Sequence, residues 1–181
     1  AMIVSLILGM GLPTPVAYII VALALVPFMQ QIGIPPLQAH FFVFYFAVFS
    51  TLTPPVAVSV LAAAKLGEAT FLSTAKDAIK IALTTFIIPF AFVFSPELMS
   101  FPDVTLATLI AVAEVIFVQV AVSVASYGFF MRSLNGVERA AYAIVAFSGF
   151  LGFTFDTNFW YVAVSLFIMI SSYIFLAKRL K

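Results

Sequence analysis

The sequence predicts an all-α integral membrane protein containing a re-entrant helical hairpin, a discontinuous transmembrane helix and about four further transmembrane helices. Three observations carry that prediction. Of the 181 residues, 65% are hydrophobic and 8% charged, 22 are Phe, and the mean hydropathy is +1.24. A water-soluble globule carries about 25% charged residues, so this chain has too little polar surface for water and must take the bilayer as its solvent. Its apolar stretches reach the length of about 20 residues that a spanning helix needs. Two of them are interrupted, at Gly9-Met10-Gly11-Leu12-Pro13-Thr14-Pro15 and at Ser50-Thr51-Leu52-Thr53-Pro54-Pro55-Val56. Proline has no amide to donate and glycine weakens a helix, so each interruption strands backbone polar groups in a medium without water.

Composition also excludes function classes. A net charge of +1 provides no basic surface for nucleic acid. The absence of cysteine removes disulfides, thiolate metal sites and a cysteine nucleophile within this chain. The first eight residues are apolar with no basic region ahead of them, unlike a signal peptide. The chain is expected to be a fragment of a longer protein, beginning inside a membrane segment.

Taken in order, residues 1–10 are too short to span and residues 14–32 form a second arm, bounded by Pro13-Thr14-Pro15 and by Gly33-Ile34-Pro35-Pro36. Two arms joined by a Gly/Pro tip predict a re-entrant hairpin over residues 1–32. Residues 37–65 are split at Thr53-Pro54-Pro55 into two half-helices, a discontinuous spanning helix. A polar connector is expected over 65–77. Continuous spans are then expected over 78–95, kinked at Pro89, and over 104–131, 139–155 and 159–177.

Charge placement orients these segments. The eight cationic residues, Lys65, Lys76, Lys80, Arg132, Arg139, Lys178, Arg179 and Lys181, all fall on one side. The connectors on the other side, 95–103 and 155–158, carry Glu97, Asp103 and Asp156 but no Lys or Arg. The positive-inside rule puts the cationic side and the C-terminus in the cytoplasm, and residues 33–36 outside. The hairpin then opens outward with its tip toward the midplane. Trp160 and Tyr161 stand near the outer boundary, as belt residues do.

At the two breaks the chemistry is specific in type. Helix N-terminal amides face anions, whereas C-terminal and unwound carbonyls face cations. The tip offers the carbonyls of Gly9, Met10, Gly11 and Leu12 and the hydroxyl of Thr14, which is also a candidate cap for the second arm. The helix break offers carbonyls near residues 50–53 and the hydroxyls of Ser50, Thr51 and Thr53. Hard neutral oxygens of this kind suit a sodium ion. A single Gly/Pro cluster reads equally well as a simple kink, but two, each with Thr beside Pro in consecutive segments, favour a binding site.

Other polar residues have blander readings beside the functional ones. Glu114, with Gln119 five residues on, lies inside an apolar span, where a carboxylate is a functional candidate by default; pairing or protonation is the alternative. His40 reads as an interfacial hydrogen bonder, because no second metal-type ligand is spaced with it. The run 41–49 reads as lipid-facing and helix-packing surface, and Lys76, Asp77 and Lys80 as a solvated helix start. An intramembrane hydrolase is disfavoured, for the chain has no Gly-x-Ser-x-Gly, no His-Glu-x-x-His and no Asp pair within a span. A channel or a non-transporting structural subunit is the alternative to a transporter.

Gly9-Met10-Gly11-Leu12-Pro13-Thr14 with Ala17-Tyr18-Ile19-Ile20, and Gly33-Ile34 with the segment from Ala39-His40 to Phe46, lead to Thr53-Pro54-Pro55-Val56-Ala57. Together with Ile88-Pro89-Phe90 and Ser95-Pro96-Glu97-Leu98, they resemble the C-terminal part of the large membrane subunit of TRAP transporters, the tripartite ATP-independent periplasmic family. The resemblance is to permeases that fuse the small and large subunits, and it covers about residues 1–100. Residues 105–181 resemble the helical tail of those fused forms.

The resemblance implies a permease of the bacterial or archaeal cytoplasmic membrane that imports organic acids such as dicarboxylates, keto acids or sialic acid. It implies a sodium gradient as driving force, no cofactor, and a periplasmic substrate-binding protein as partner. It also implies an elevator-type fold with paired hairpins in inverted repeats. On that analogy residues 9–14 are the tip of the second hairpin and residues 51–57, including Thr51, Thr53, Pro54 and Ala57, the unwound part of the following helix, both supplying sodium and substrate ligands. Residues 1–100 would be the C-terminal part of the transport core and residues 104–181 an extension of three helices. The first repeat lies outside this chain, so the fragment is not expected to transport alone.

Overall fold

The computed structural model describes residues 1–100, 102–155 and 159–179, so the readings of Asp156 and Lys181 lie outside the described residues. Helix dominates it, as the sequence predicts, with one minimal β-hairpin among the described residues. The chain divides into two units, Ala1–Ala82 and Leu83–Lys181. Three stretches are long and apolar enough to cross a membrane by length and composition, Thr14–Gln31, Phe71–Phe94 and Leu106–Tyr127.

In the first unit α1 (Met2–Gly9) and α2 (Thr14–Gln31) are the two arms flanking the first break, and both pack on α3 (Pro36–Phe49). At 18 residues α2 meets the length of a spanning helix as well as that of a hairpin arm. The Phe-rich α3 divides its rings by helical period. Phe42, Phe46 and Phe49 are buried, with Phe42 edge-on to Phe46 at 4.9 Å, while Phe41 and Phe44 are exposed to what would be lipid. After the second break come α4 (Val58–Leu66) and α5 (Phe71–Leu83).

The polar stretch expected as a connector over 65–77 is mostly helix. Thr70 caps α5, accepting from the Ser73 amide at 3.3 Å, and Lys76, Asp77 and Lys80 lie on the exposed face opposite buried Ala75 and Ala82. Lys76, Asp77 and Lys80, expected as a solvated helix start, are the polar face of an amphipathic helix that begins earlier, at Phe71, inside the expected connector.

In the second unit, α6 (Ile87–Phe94) leads through a short 3-10 turn, Pro96–Met99, to α7 (Leu106–Tyr127), α8 (Gly136–Phe155) and α9 (Phe159–Arg179). The span expected over 78–95 is not continuous, since helix is absent over 84–86. Pro89 accounts for this. It has no amide for the Thr85 carbonyl, which instead accepts from the Ile88 amide at 3.1 Å in a tighter turn. Nor does the next span run to residue 131. Helix α7 stops at Gly128, whose φ of 66° is left-handed, and a tight hairpin pairs β1 (Phe129–Phe130) with β2 (Arg132–Ser133).

Helices α7, α8 and α9 share two small cores, Ala121 with Val145, Ala146 and Ala163, and Val124 with Tyr142 and Ile174. Small residues let these backbones approach closely, as in membrane helix packing generally. Trp160, expected as a belt residue, is half-buried against Phe117 with ring centroids 5.1 Å apart.

Candidate ion and substrate site

The second break is wider than the Thr53-Pro54-Pro55 triplet, with no regular helix over 50–57. Its hydrogen bonds explain how the chain survives it. Continued as a helix, the chain would need the amides of residues 54 and 55 to reach the carbonyls of Ser50 and Thr51, and both residues are proline. Two local groups take over. The Thr53 hydroxyl donates to the Ser50 carbonyl at 3.3 Å, and the Ser59 amide, from the first turn of α4, donates to the Thr51 carbonyl at 3.1 Å. The chain re-enters helix through Ala57, a fully buried residue held in the left-handed region at φ 39°. A non-glycine residue there is strained by about 1 kcal/mol or more, and packing of Ala57 with Val60 and Ala75 holds it.

Three hydroxyls crown the C-terminal end of α3. Ser50 Oγ donates to the Ala47 carbonyl at 2.6 Å, Thr51 Oγ1 to Val48 at 2.9 Å, and Thr53 Oγ1 also to Phe49 at 3.3 Å. Each hydroxyl has committed its proton to a carbonyl, so what it presents outward is oxygen lone pairs. Those lone pairs, beside carbonyls at the negative end of a helix, form an environment for a cation. Thr51 and Thr53 are half-buried; Ser50 is sealed, at 0% exposure.

At the tip, Gly11 has a φ of 76°, and the Gly9 carbonyl, deprived of a helical donor by Pro13, accepts from the Leu12 amide at 3.3 Å. Helix α2 starts at Thr14 with Pro13 in the capping position and no side-chain cap, so the expected capping role of Thr14 is not seen. Thr14 and Met10 are half-buried.

The structure brings tip and break together. A Cβ built on Gly9 would lie 2.5 Å from Ser50 Oγ, and one on Gly11 3.3 Å from Val56 Cγ1. Glycine at these positions is what permits backbone to rest on the broken helix. Farther out along the same helices, the Tyr18 hydroxyl and His40 Nδ1 are hydrogen-bonded at 2.8 Å, joining α2 to α3. Glu114, half-buried at mid-length in α7, belongs to the second unit. Sequence reasoning missed Ser59 and Val56. Loss of two amides at Pro54 and Pro55 signals that two carbonyls need new partners, but only Thr53 is near enough in sequence to be named in advance.

The family model of the tripartite ATP-independent periplasmic transporter DctM component matches residues 1–102, more than half of the chain. The chain belongs to the DctM family. Both breaks, all nine candidate ion and substrate residues from Gly9 to Ala57, and the Tyr18–His40 pair fall within the DctM match, whereas Glu114 lies beyond it. No curated protein and no solved structure matches the chain. DctM is the membrane permease component of a transporter, so this is a multi-pass transport protein of a class that is not enzymatic.

Proposed function

We propose that this chain contributes half of a sodium-coupled organic-acid site in a TRAP permease, the other half coming from an N-terminal repeat of the same permease. What supports the reading is the seating of the hairpin tip on the helix break through Gly9 against Ser50 and Gly11 against Val56. Helix ends of both polarities flank the two breaks. The C-terminal end of α3, with the hydroxyls of Thr51 and Thr53 and the adjoining carbonyls, takes the sodium ion. The N-terminal ends of α2 at Thr14 and of α4 beyond Ala57 take a substrate carboxylate, by the attraction of helix amides for anions. Ser50 acts as the packing partner of Gly9, while Gly9, Met10, Gly11 and Pro54 contribute backbone oxygens.

In this reading the hairpin is re-entrant and opens to the periplasm, where a substrate-binding protein delivers the organic acid. The complete permease, with its small membrane subunit, moves this unit as an elevator across the cytoplasmic membrane. The test is uptake of a radiolabelled organic acid into vesicles holding the complete permease, with and without its binding protein, under an imposed sodium gradient. Uptake that needs both supports the proposal, and uptake indifferent to sodium and to the binding protein refutes it in favour of a channel.

A further inference from the structure

The second unit, which holds none of the proposed transport-site residues, carries a groove in two parts that share lining residues. The inner part, about 310 Å³, is apolar and lined by Leu83, Ile87, Val122, Ala146, Phe147 and Phe150. Through Ala125, Ser126 and Ala143 it runs into an outer part of about 490 Å³ that also takes in Gly136 and Arg139. An apolar trough thus ends at a guanidinium.

Arg139 is fixed in place. Its Nε donates to the Ala125 carbonyl and its Nη2 to the Ser126 carbonyl, both at 3.0 Å, capping the C-terminal end of α7. Its stem crosses Gly128 so closely that a Cβ there would lie 2.9 Å from Cδ. A guanidinium has five N–H donors, and these two bonds leave the others pointing elsewhere. Among the described residues the ion pair is made by Arg132 with Glu138, so Arg139 keeps its charge without a carboxylate. Gly136, at the start of α8, faces open space, and the Glu138 carboxylate in the same turn is taken up by Arg132 and the Asn135 amide, so the guanidinium of Arg139 is the charge that lines this mouth.

We propose that this groove binds one anionic phospholipid, with an acyl chain in the trough and the phosphate at Arg139, beside Gly136. Charge complementarity selects the headgroup, and the continuous apolar trough selects a lipid over a free phosphate. The mouth lies on the side that the Lys and Arg distribution assigns to the cytoplasm, where anionic lipid is enriched. A bound lipid would tie the α7–α8 turn to that leaflet.

Native mass spectrometry of the full-length permease, titrated with dioleoyl phosphatidylglycerol, dioleoyl phosphatidylcholine or glycerol 3-phosphate, tests this. Phosphatidylglycerol should be retained in preference to phosphatidylcholine, and Arg139→Gln should weaken its binding about tenfold while Arg139→Lys keeps most of the preference. Because Arg139 also caps α7, Ala143→Phe is the second arm: it fills the trough, leaves the cap intact and should lower retention of the lipid. Equal retention of both lipids, unchanged phosphatidylglycerol binding in Ala143→Phe, or displacement of that lipid by an equal concentration of glycerol 3-phosphate would each overturn the proposal.

Discussion

Gly9, the last residue of α1, rests directly on the side chain of Ser50, the residue that follows α3: a Cβ at position 9 would meet Ser50 Oγ at 2.5 Å and Ser50 Cβ at 2.8 Å. Gly9 is buried and Ser50 has no exposure, so neither side has room to retreat. Gly9→Ala is therefore expected to destabilise the permease by about 1–3 kcal/mol, the range for an overpacked core. Ser50→Ala relieves only the Oγ contact, whereas Ser50→Gly relieves both. Thermal unfolding of the purified single and double variants should show a coupling that Ser50→Gly restores more fully than Ser50→Ala.

Thr53 separates packing from hydrogen bonding. Thr53→Val keeps the shape but removes the hydroxyl that serves the carbonyls of Phe49 and Ser50, at a cost of about 1 kcal/mol. It also removes a proposed sodium ligand. The sodium concentration for half-maximal uptake should rise about tenfold in Thr53→Val, which corresponds to about 1.4 kcal/mol, and stay near wild type in Thr53→Ser. Unchanged sodium dependence in Thr53→Val would remove Thr53 from the ion site.

Ser59 spans the break with its amide, so its side chain should matter little. Ser59→Ala keeps the bond to the Thr51 carbonyl and should unfold like wild type. Ser59→Pro deletes the donor at the second position of a helix, a position that Pro15 already occupies in α2, and should lower stability by about 1–3 kcal/mol. Equal melting temperatures for the two variants would show that the bond contributes nothing.

Acidification should loosen the turn between α7 and α8. The Glu138 carboxyl is held below its usual range, first by its hydrogen bond from Arg132, then by the Asn135 amide, which donates to it at 2.9 Å. A carboxylate with a depressed folded-state pKa stabilises fully above the ordinary glutamate range and loses that contribution as pH falls below it through the depressed value. Protection of the first-turn amides of α8 against hydrogen exchange, taken relative to the intrinsic rate at each pH, should fall over that acidic window in wild type. Glu138→Gln should show faster exchange at neutral pH and a flatter pH response.

The helical class and both breaks were legible in the sequence because proline and glycine act locally: Pro54-Pro55 and Gly11-Leu12-Pro13 end helices wherever the rest of the chain lies. The contact of Gly9 with Ser50 was not legible, for it depends on how α1 crosses α3, a fact of packing between distant positions. Hydropathy failed differently at residues 71–75, the first turn of α5, which lie inside the expected connector. A window average reads a polar face as a connector, although Thr70 supplied a capping signal that marks a helix start. Pro89 signals a kink in the sequence, but nothing local says whether the Thr85 carbonyl keeps its helix or tightens into the turn seen over 84–86.

In the proposed permease, hairpin tip and helix break form one sodium-coupled site. Sodium-driven organic-acid uptake by the complete permease with its binding protein tests it most directly, compared among wild type, Gly9→Ala and Gly9→Ala/Ser50→Gly at matched amounts of folded protein. Uptake should fall in Gly9→Ala and return in the double variant, where the tip can seat on the break again. Full sodium-driven uptake in Gly9→Ala, or none restored in a folded double variant, would contradict it.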